Sequence, residues 1–275
     1  MSDLTKRVLL AIPGGLVFLL VLWLGGWIFQ LGMALLVLLI QREMIVILKN
    51  TGYQVNSVFT YLLGVWIMST PLIEAGHQLL PGVALFLVLT AYLVVERGQL
   101  FLEKLMSTVF LGLYAPLGFL ALVLLRAQGS DFEGLFLALV VVFMVWGNDV
   151  LAYFGGKNFG KHLLAPSISP KKTWEGFVSG ILGSGLGLAL CYLVLPVTPG
   201  FHWAFAIPLV LISSVFGPVG DLVESRFKRE AGIKDSSSLL PGHGGLFDRF
   251  DAMILSALSV FVYIQFLDLL NYAPF

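Results

Sequence analysis

The chain reads as long apolar runs separated by short polar breaks, and the run lengths set its class. Residues 8–40 hold a single strongly polar side chain, Gln30. A helix needs about 20 apolar residues to cross the roughly 30 Å hydrocarbon core of a bilayer, so this run is too long for one crossing. The Gly25-Gly26 pair supplies a break, because glycine is among the poorest helix formers. The pattern therefore predicts helices over 8–24 and 28–48, then over 57–73, 80–95, 105–125, 133–154, 175–196, 203–224 and 252–272. Together they describe an all-α, polytopic integral membrane bundle of about nine transmembrane helices. Met1–Arg7 leads directly into the first apolar run, which continues without a small-residue cleavage site. That run reads as a retained helix.

Composition supports the class. Only 12% of the 275 residues are charged and 58% are hydrophobic, against about 25% charged in soluble domains. The placement of charge then orients the bundle. With the N-terminus in the cytoplasm, nine spans leave only Arg126, of 16 Lys and Arg, on an outer segment. That is a strong positive-inside pattern. The formal net charge of +0 says little about partners, and nucleic acid is not expected among them. The single cysteine, Cys191, lies in an apolar run, so it forms no internal disulfide and reads as a small buried hydrophobe.

The two longest polar segments, 155–174 and 225–251, both fall in the C-terminal half and on the cytoplasmic side. Residues 1–130 thus read as N-terminal transmembrane helices, and 131–275 as a transmembrane region that carries the chemistry. Asp149, Asp221, Asp248 and Asp251 sit in or at the ends of apolar helices, where a charge costs roughly 2.5–3.5 kcal/mol at mid-span and marks a functional candidate. Asp221, Glu224, Ser225 and Lys228 are spaced to share one helical face, as are Asp248 and Asp251. Carboxylates so grouped suit Mg²⁺, which takes one or two of them plus phosphate oxygens and water. They also suit plain solvated charge contacts, worth a few tenths of a kcal/mol each.

Basic residues lie among these acids: Lys228, Arg229, Lys234 and Arg249, with Lys171 and Lys172 in SISPKKTWEG. Cations around a metal are what phosphoryl transfer needs, because its catalysis is positioning and charge neutralisation. Lysines alone equally suit anionic lipid headgroups, at about 1 kcal/mol each. In PGHGG, Pro241–Gly245, the glycines let backbone N–H groups approach an anion ahead of a helix N-terminus. A tight turn explains those glycines equally well, but not His243. Gly155–Lys161 spells G-x-x-x-x-G-K, yet His162 stands where a P-loop has Ser or Thr, and a transmembrane helix precedes it instead of a strand.

The segment S-x-F-K-R-x-x-x-x-K-D-x-S-x-x-L-P-x-H-G-G-L-x-D-R-F-D, Ser225–Asp251, closely resembles that of phosphatidate cytidylyltransferases, and AYFGGKNFGKHLLAPSISPKKTWEGF, Ala152–Phe177, is similar to that family's other cytoplasmic loop. The resemblance implies Mg²⁺-dependent synthesis of CDP-diacylglycerol and pyrophosphate from CTP and phosphatidate for phospholipid biosynthesis. It further implies a bacterial cytoplasmic (inner) membrane protein with its active site on the cytoplasmic side. By position it gives Asp221, Asp248 and Asp251 to the metal, and Lys228, Arg229 and Arg249 to catalysis beside them. It gives Ser169, Lys172, Thr173, Ser225, Lys234, Asp235, His243, Gly244 and Gly245 to substrate or nucleotide binding. Family members can dimerise, so a homodimer is also implied. The chain departs from the pattern after Asp149, where Val150 and Leu151 stand in place of a small or hydroxyl residue. Two other readings stay open on the residues alone. One is an ion-coupled transporter using Asp149 and Asp221; the other is a different membrane lipid-phosphate transferase.

Overall fold

A computed structural model describes residues 3–74, 76–96, 100–195, 203–237 and 244–272. Helices dominate: α1 (Asp3–Leu24), α2 (Gly26–Asn50), α3 (Ser57–Ser69), α4 (Leu79–Val95), α5 (Phe101–Arg126), α6 (Asp131–Phe159), α7 (Trp174–Val194), α8 (Trp203–Glu230) and α9 (Phe247–Leu269). Among the described residues, α2, α5, α6, α7, α8 and α9 are six helices long and apolar enough to cross a membrane. Shorter apolar helical stretches run over Ile12–Leu24, Ser57–Leu72 and Leu79–Val95. The protein is an all-α integral membrane protein whose only sheet, among the described residues, is a small antiparallel hairpin. Its strands are β1 (Leu163–Ala165) and β2 (Ser169–Thr173), paired Leu163 to Thr173 and Ala165 to Ser169.

Two differences from the sequence reading matter. Helix α6 continues to Phe159 and α8 to Glu230, beyond the stretches of unbroken apolar character. Polar residues can extend a helix past the hydrocarbon because its backbone bonds are internal. As a result Asp221, Ser225, Lys228 and Arg229 all stand on α8, and the described residues of the expected polar segments are largely helix ends and hairpin.

The chain forms two compact units, one of Met1–Val21, Gly26–Leu120 and Phe227–Arg249, the other of Leu22–Gly25, Ala121–Arg226 and Phe250–Phe275. In the first, Phe29, Val37 and Ile40 of α2, Leu63 and Ile67 of α3, and Leu111 of α5 are buried. Polar groups there are tied to backbone: Gln41 Nε2 donates to the carbonyls of Thr60 at 3.0 Å and Leu111 at 3.3 Å. Asn56 caps α3 by accepting from Phe59 N–H at 3.2 Å.

The break read at Gly25-Gly26 is a left-handed turn, with φ of +62° and +51°, a conformation glycine adopts at no steric cost. The last carbonyls of α1 lack intrahelical partners, and Arg126 supplies them. Its Nε donates to Leu22 O at 2.9 Å and its Nη2 to Trp23 O at 3.2 Å, while Nη1 pairs with Asp131 Oδ1 at 2.7 Å. Helix α6 begins with a capping box in which Ser130 Oγ accepts from Glu133 N–H and Glu133 Oε2 accepts from Ser130 N–H at 2.6 Å.

Helices α6 and α7 touch backbone to backbone. A Cβ on Gly147 would overlap the carbonyl oxygen of Gly183, one on Gly183 that of Gly147, and one on Gly187 that of Phe143. Ser184 Oγ, accepting from Asn148 Nδ2 at 3.2 Å and donating to Met144 O at 3.1 Å, bridges the pair. The small residues of Gly180–Leu190 therefore serve close packing within the chain, the usual device where lipid offers no hydrophobic drive between helices. Gly183→Leu should destabilise the protein by about 1–3 kcal/mol, the cost of overpacking, seen as a lower unfolding midpoint in detergent. Gly185→Leu, where a Cβ meets nothing within 4 Å, should leave the midpoint unchanged.

Candidate functional site

The close α6–α7 contact opens towards the hairpin into a cavity of about 610 Å³ in the second unit. Helix α6 lines it with Asp149, Ala152, Tyr153, Gly156 and Lys157, a spacing that keeps one helical face towards it. The hairpin and the first turn of α7 close another side with Lys171, Lys172, Thr173 and Gly176. Glu175 bolts that hairpin in place. Its Oε2 accepts from the N–H groups of Lys161 at 3.0 Å and His162 at 3.2 Å, and its Oε1 lies 2.6 Å from His162 Nδ1. Thr173 Oγ1 caps α7 by accepting from Gly176 N–H at 3.1 Å. A helix N-terminus thus faces the cavity, which favours an anionic ligand. The G-x-x-x-x-G-K string is no phosphate loop, since Gly155 and Gly156 are helical.

Asp221 of α8 lines the same cavity. Its Oδ2 lies 2.6 Å from Lys172 Nζ, which also donates to Pro218 O at 3.3 Å, and its Oδ1 accepts from Ser225 Oγ at 3.1 Å. Glu224, one helical step on, and Asp251 of α9 complete a cluster in which one carboxylate oxygen from each lies within 4.8 Å of the others. Glycine makes this approach possible: a Cβ on Gly220 would overlap the carbonyl oxygen of Asp251. Glu224 is 1% exposed. Crowding three carboxylates in a poorly hydrated place is costly without a compensating cation. Oxygen donors at this spacing, with one lysine beside them, fit a hard divalent ion such as Mg²⁺.

The remaining signature residues lie in the first unit. Lys228 Nζ pairs with Asp248 Oδ1 at 2.6 Å. Asp248 Oδ2 accepts from Gly245 N–H at 2.7 Å, from Ser236 N–H at 2.8 Å and from Ser236 Oγ at 2.8 Å. Gly244 has φ of +77°, and a Cβ there would come 2.6 Å from Asp248 Oδ2. The anion held by the Gly-Gly turn is thus the protein's own Asp248. Arg229, Lys234, Asp235 and Arg249 are exposed, Arg229 Nη1 reaching Ile233 O at 3.5 Å. His243 lies outside the described residues.

The structure therefore brings Asp221 and Asp251 together, sets Lys172 and Thr173 at the cavity, and joins Lys228, Asp248 and Gly245. Ser169 sits half-buried at the start of β2, where it pairs with Ala165. Sequence reasoning placed Glu224 on the Asp221 face without giving it a role. It counted Lys157 only among the inner-side basic residues and gave it no role at a site, because the pattern ends the helix at residue 154. The i, i+4, i+8 spacing of Asp149, Tyr153 and Lys157, which keeps them along one helical face, was the available signal.

A profile of the cytidylyltransferase family matches residues 5–267. The chain is 37% identical over 259 residues to the phosphatidate cytidylyltransferase of Staphylococcus saprophyticus, covering 90% of this chain and 94% of that protein. It is 34% identical over 263 residues to those of Staphylococcus haemolyticus and Staphylococcus aureus, with the same coverage. With the match running almost end to end and through every signature segment, the chain belongs to the cytidylyltransferase family.

Proposed function

We propose that the protein transfers CMP from CTP to phosphatidate, giving CDP-diacylglycerol and pyrophosphate. The observation that carries this reading is one cavity holding Asp149, Asp221 and three lysines, on a chain whose relatives bear that activity in their names. A phosphatidate oxygen forms a bond to the α-phosphorus of CTP as the bond from that phosphorus to the β-phosphate oxygen breaks. The electron pair departs with pyrophosphate. A phosphate monoester is already anionic near pH 7, so no strong base is needed; the difficulty is bringing two polyanions together.

Lys157, Lys171 and Lys172 line the cavity and would neutralise and orient phosphate oxygens. Lys172 holds Asp221 at 2.6 Å, so it can exchange a carboxylate partner for a phosphate without changing place. Asp221 and Asp251, with Glu224 between them, would hold Mg²⁺; the resemblance adds Asp248. When bound, such an ion withdraws charge from the α-phosphoryl group and screens the triphosphate. Ser225 keeps Asp221 oriented through its 3.1 Å hydrogen bond. Arg229, Lys234 and Arg249 are exposed cations suited to the leaving pyrophosphate or to lipid headgroups. The charge asymmetry supports about nine spans, a cytoplasmic N-terminus and a site on the cytoplasmic face of a bacterial membrane. A homodimer remains part of the proposal by resemblance alone.

Purified protein incubated with α-labelled CTP, phosphatidate and Mg²⁺ should move label into the lipid phase, and chelation should stop it. Label that stays entirely aqueous sinks the reading. Asp221→Asn and Asp251→Asn should each lower the rate by about 100-fold or more, the scale of lost charge stabilisation at a metal site, and raise the Mg²⁺ concentration needed for half-maximal rate. Asp248→Asn should also abolish transfer, since the charge is lost and asparagine's one oxygen can serve only Lys228 or the turn. Lys172→Ala should raise KM for CTP by about tenfold, as expected for one charge-assisted hydrogen bond; an unchanged KM would remove Lys172 from the phosphate set.

A further inference from the structure

Glu43 stands in α2, in the half of the sequence that reads as plain bundle, among the buried apolar residues Ile40, Met44 and Ile47. It is 5% exposed, and both its oxygens are occupied. Oε1 accepts from Ser237 Oγ at 2.7 Å and from Leu246 N–H at 3.0 Å. Oε2 accepts from Ser236 Oγ at 2.9 Å and from Phe247 N–H at 2.8 Å. An acidic side chain inside a membrane helix persists only where donors compensate it, and here four groups do, Ser236 sharing its one hydroxyl proton with Asp248. Leu246 and Phe247 carry N–H groups at the start of α9 that have no acceptor within the helix. A residue some 200 positions away in sequence therefore caps that helix.

The contacts form a chain. Ser236 Oγ reaches Glu43 at 2.9 Å and Asp248 at 2.8 Å, and Asp248 holds Lys228 at 2.6 Å. Gly245 has no room for a side chain, because a Cβ would overlap Ser236 Oγ and Glu43 Oε2. Segments 236–237 and 245–248 are thus both fastened to one carboxylate.

We infer that Glu43 is a positioning residue for nucleotidyl transfer. It fixes the backbone that carries Asp248, and through Asp248 the Lys228 ammonium, without itself touching substrate. The inference rests on the transferase reading. A carboxylate is required because two backbone N–H groups approach different oxygens. Glutamine has the same shape but presents one oxygen and one NH₂, so in either orientation Leu246 or Phe247 N–H meets another donor. Serine hydroxyls can turn to accept; a backbone N–H cannot.

The test compares wild type with Glu43→Gln in mixed micelles of phosphatidate with CTP and Mg²⁺, per folded molecule. Amide exchange over 244–250 is followed by mass spectrometry. Losing a buried charge-assisted hydrogen bond should lower kcat about tenfold or more and speed exchange at Leu246 or Phe247 by a similar factor. KM for CTP should move less than about threefold, because an interaction that only aligns reacting groups is expressed in kcat. A kcat within about twofold of wild type overturns the assignment, and so does a lost kcat with unchanged exchange. Should Glu43→Gln fail to accumulate, Ser236→Ala decides: it keeps both N–H bonds to Glu43 and the Ser236 N–H bond to Asp248, and removes only the hydroxyl that joins the two carboxylates. An unaltered kcat in that variant overturns the inference, and a fall of about threefold or more supports it. Wild type that makes no CDP-lipid fails the transferase reading itself, while the exchange comparison still decides whether Glu43 holds the turn.

Discussion

Charge confined in a greasy bundle is the constraint on which the rest of this structure depends. Carboxylates cannot stand in a membrane helix without cations or donors arranged around them. Within each unit the acidic groups are answered locally: Asp221 by Lys172 and Ser225, Asp248 by Lys228 and the Gly245 turn, Glu43 by two hydroxyls and two backbone amides. The Asp221–Glu224–Asp251 cluster is the exception in kind. Its three carboxylates each bring an oxygen within 4.8 Å of the others, the crowding that favours a divalent ion.

Glycine sets the geometry that makes this compensation local. At Gly220, Gly147 and Gly183 the absent side chain lets one backbone rest on another. Carboxylates and lysines from separate helices then converge on one cavity instead of facing lipid separately. Small residues in these positions serve the chemistry as much as the packing, because the distance between α8 and α9 at Gly220 fixes how near Asp221 and Asp251 can come.

Much of the fold was legible in the sequence because apolar run length and the Gly25-Gly26 break are direct readings of helix length and backbone freedom. The acidic face of α8 was legible for a similar reason, since Asp221, Glu224 and Ser225 repeat at helical spacing. Helix ends were not, because polar residues beyond the hydrocarbon give no hydrophobic signal; that hid the place of Lys157 on the cavity wall. Which carboxylates meet could not be read from spacing, since it turns on a tertiary contact at Gly220. Glu43 was missed for the opposite reason. One acid beside Arg42, just past an apolar run, looks incidental until its four donors, all from the far end of the chain, are seen together.

The guanidinium of Arg126 carries an implication for biogenesis. It satisfies the carbonyls of Leu22 and Trp23, the former across 104 residues of chain. During synthesis those two oxygens emerge long before their donor does, and until it arrives they can be served only by water or lipid headgroups. The first helical turn-around therefore lacks the donor that closes it until the fifth helix has been delivered.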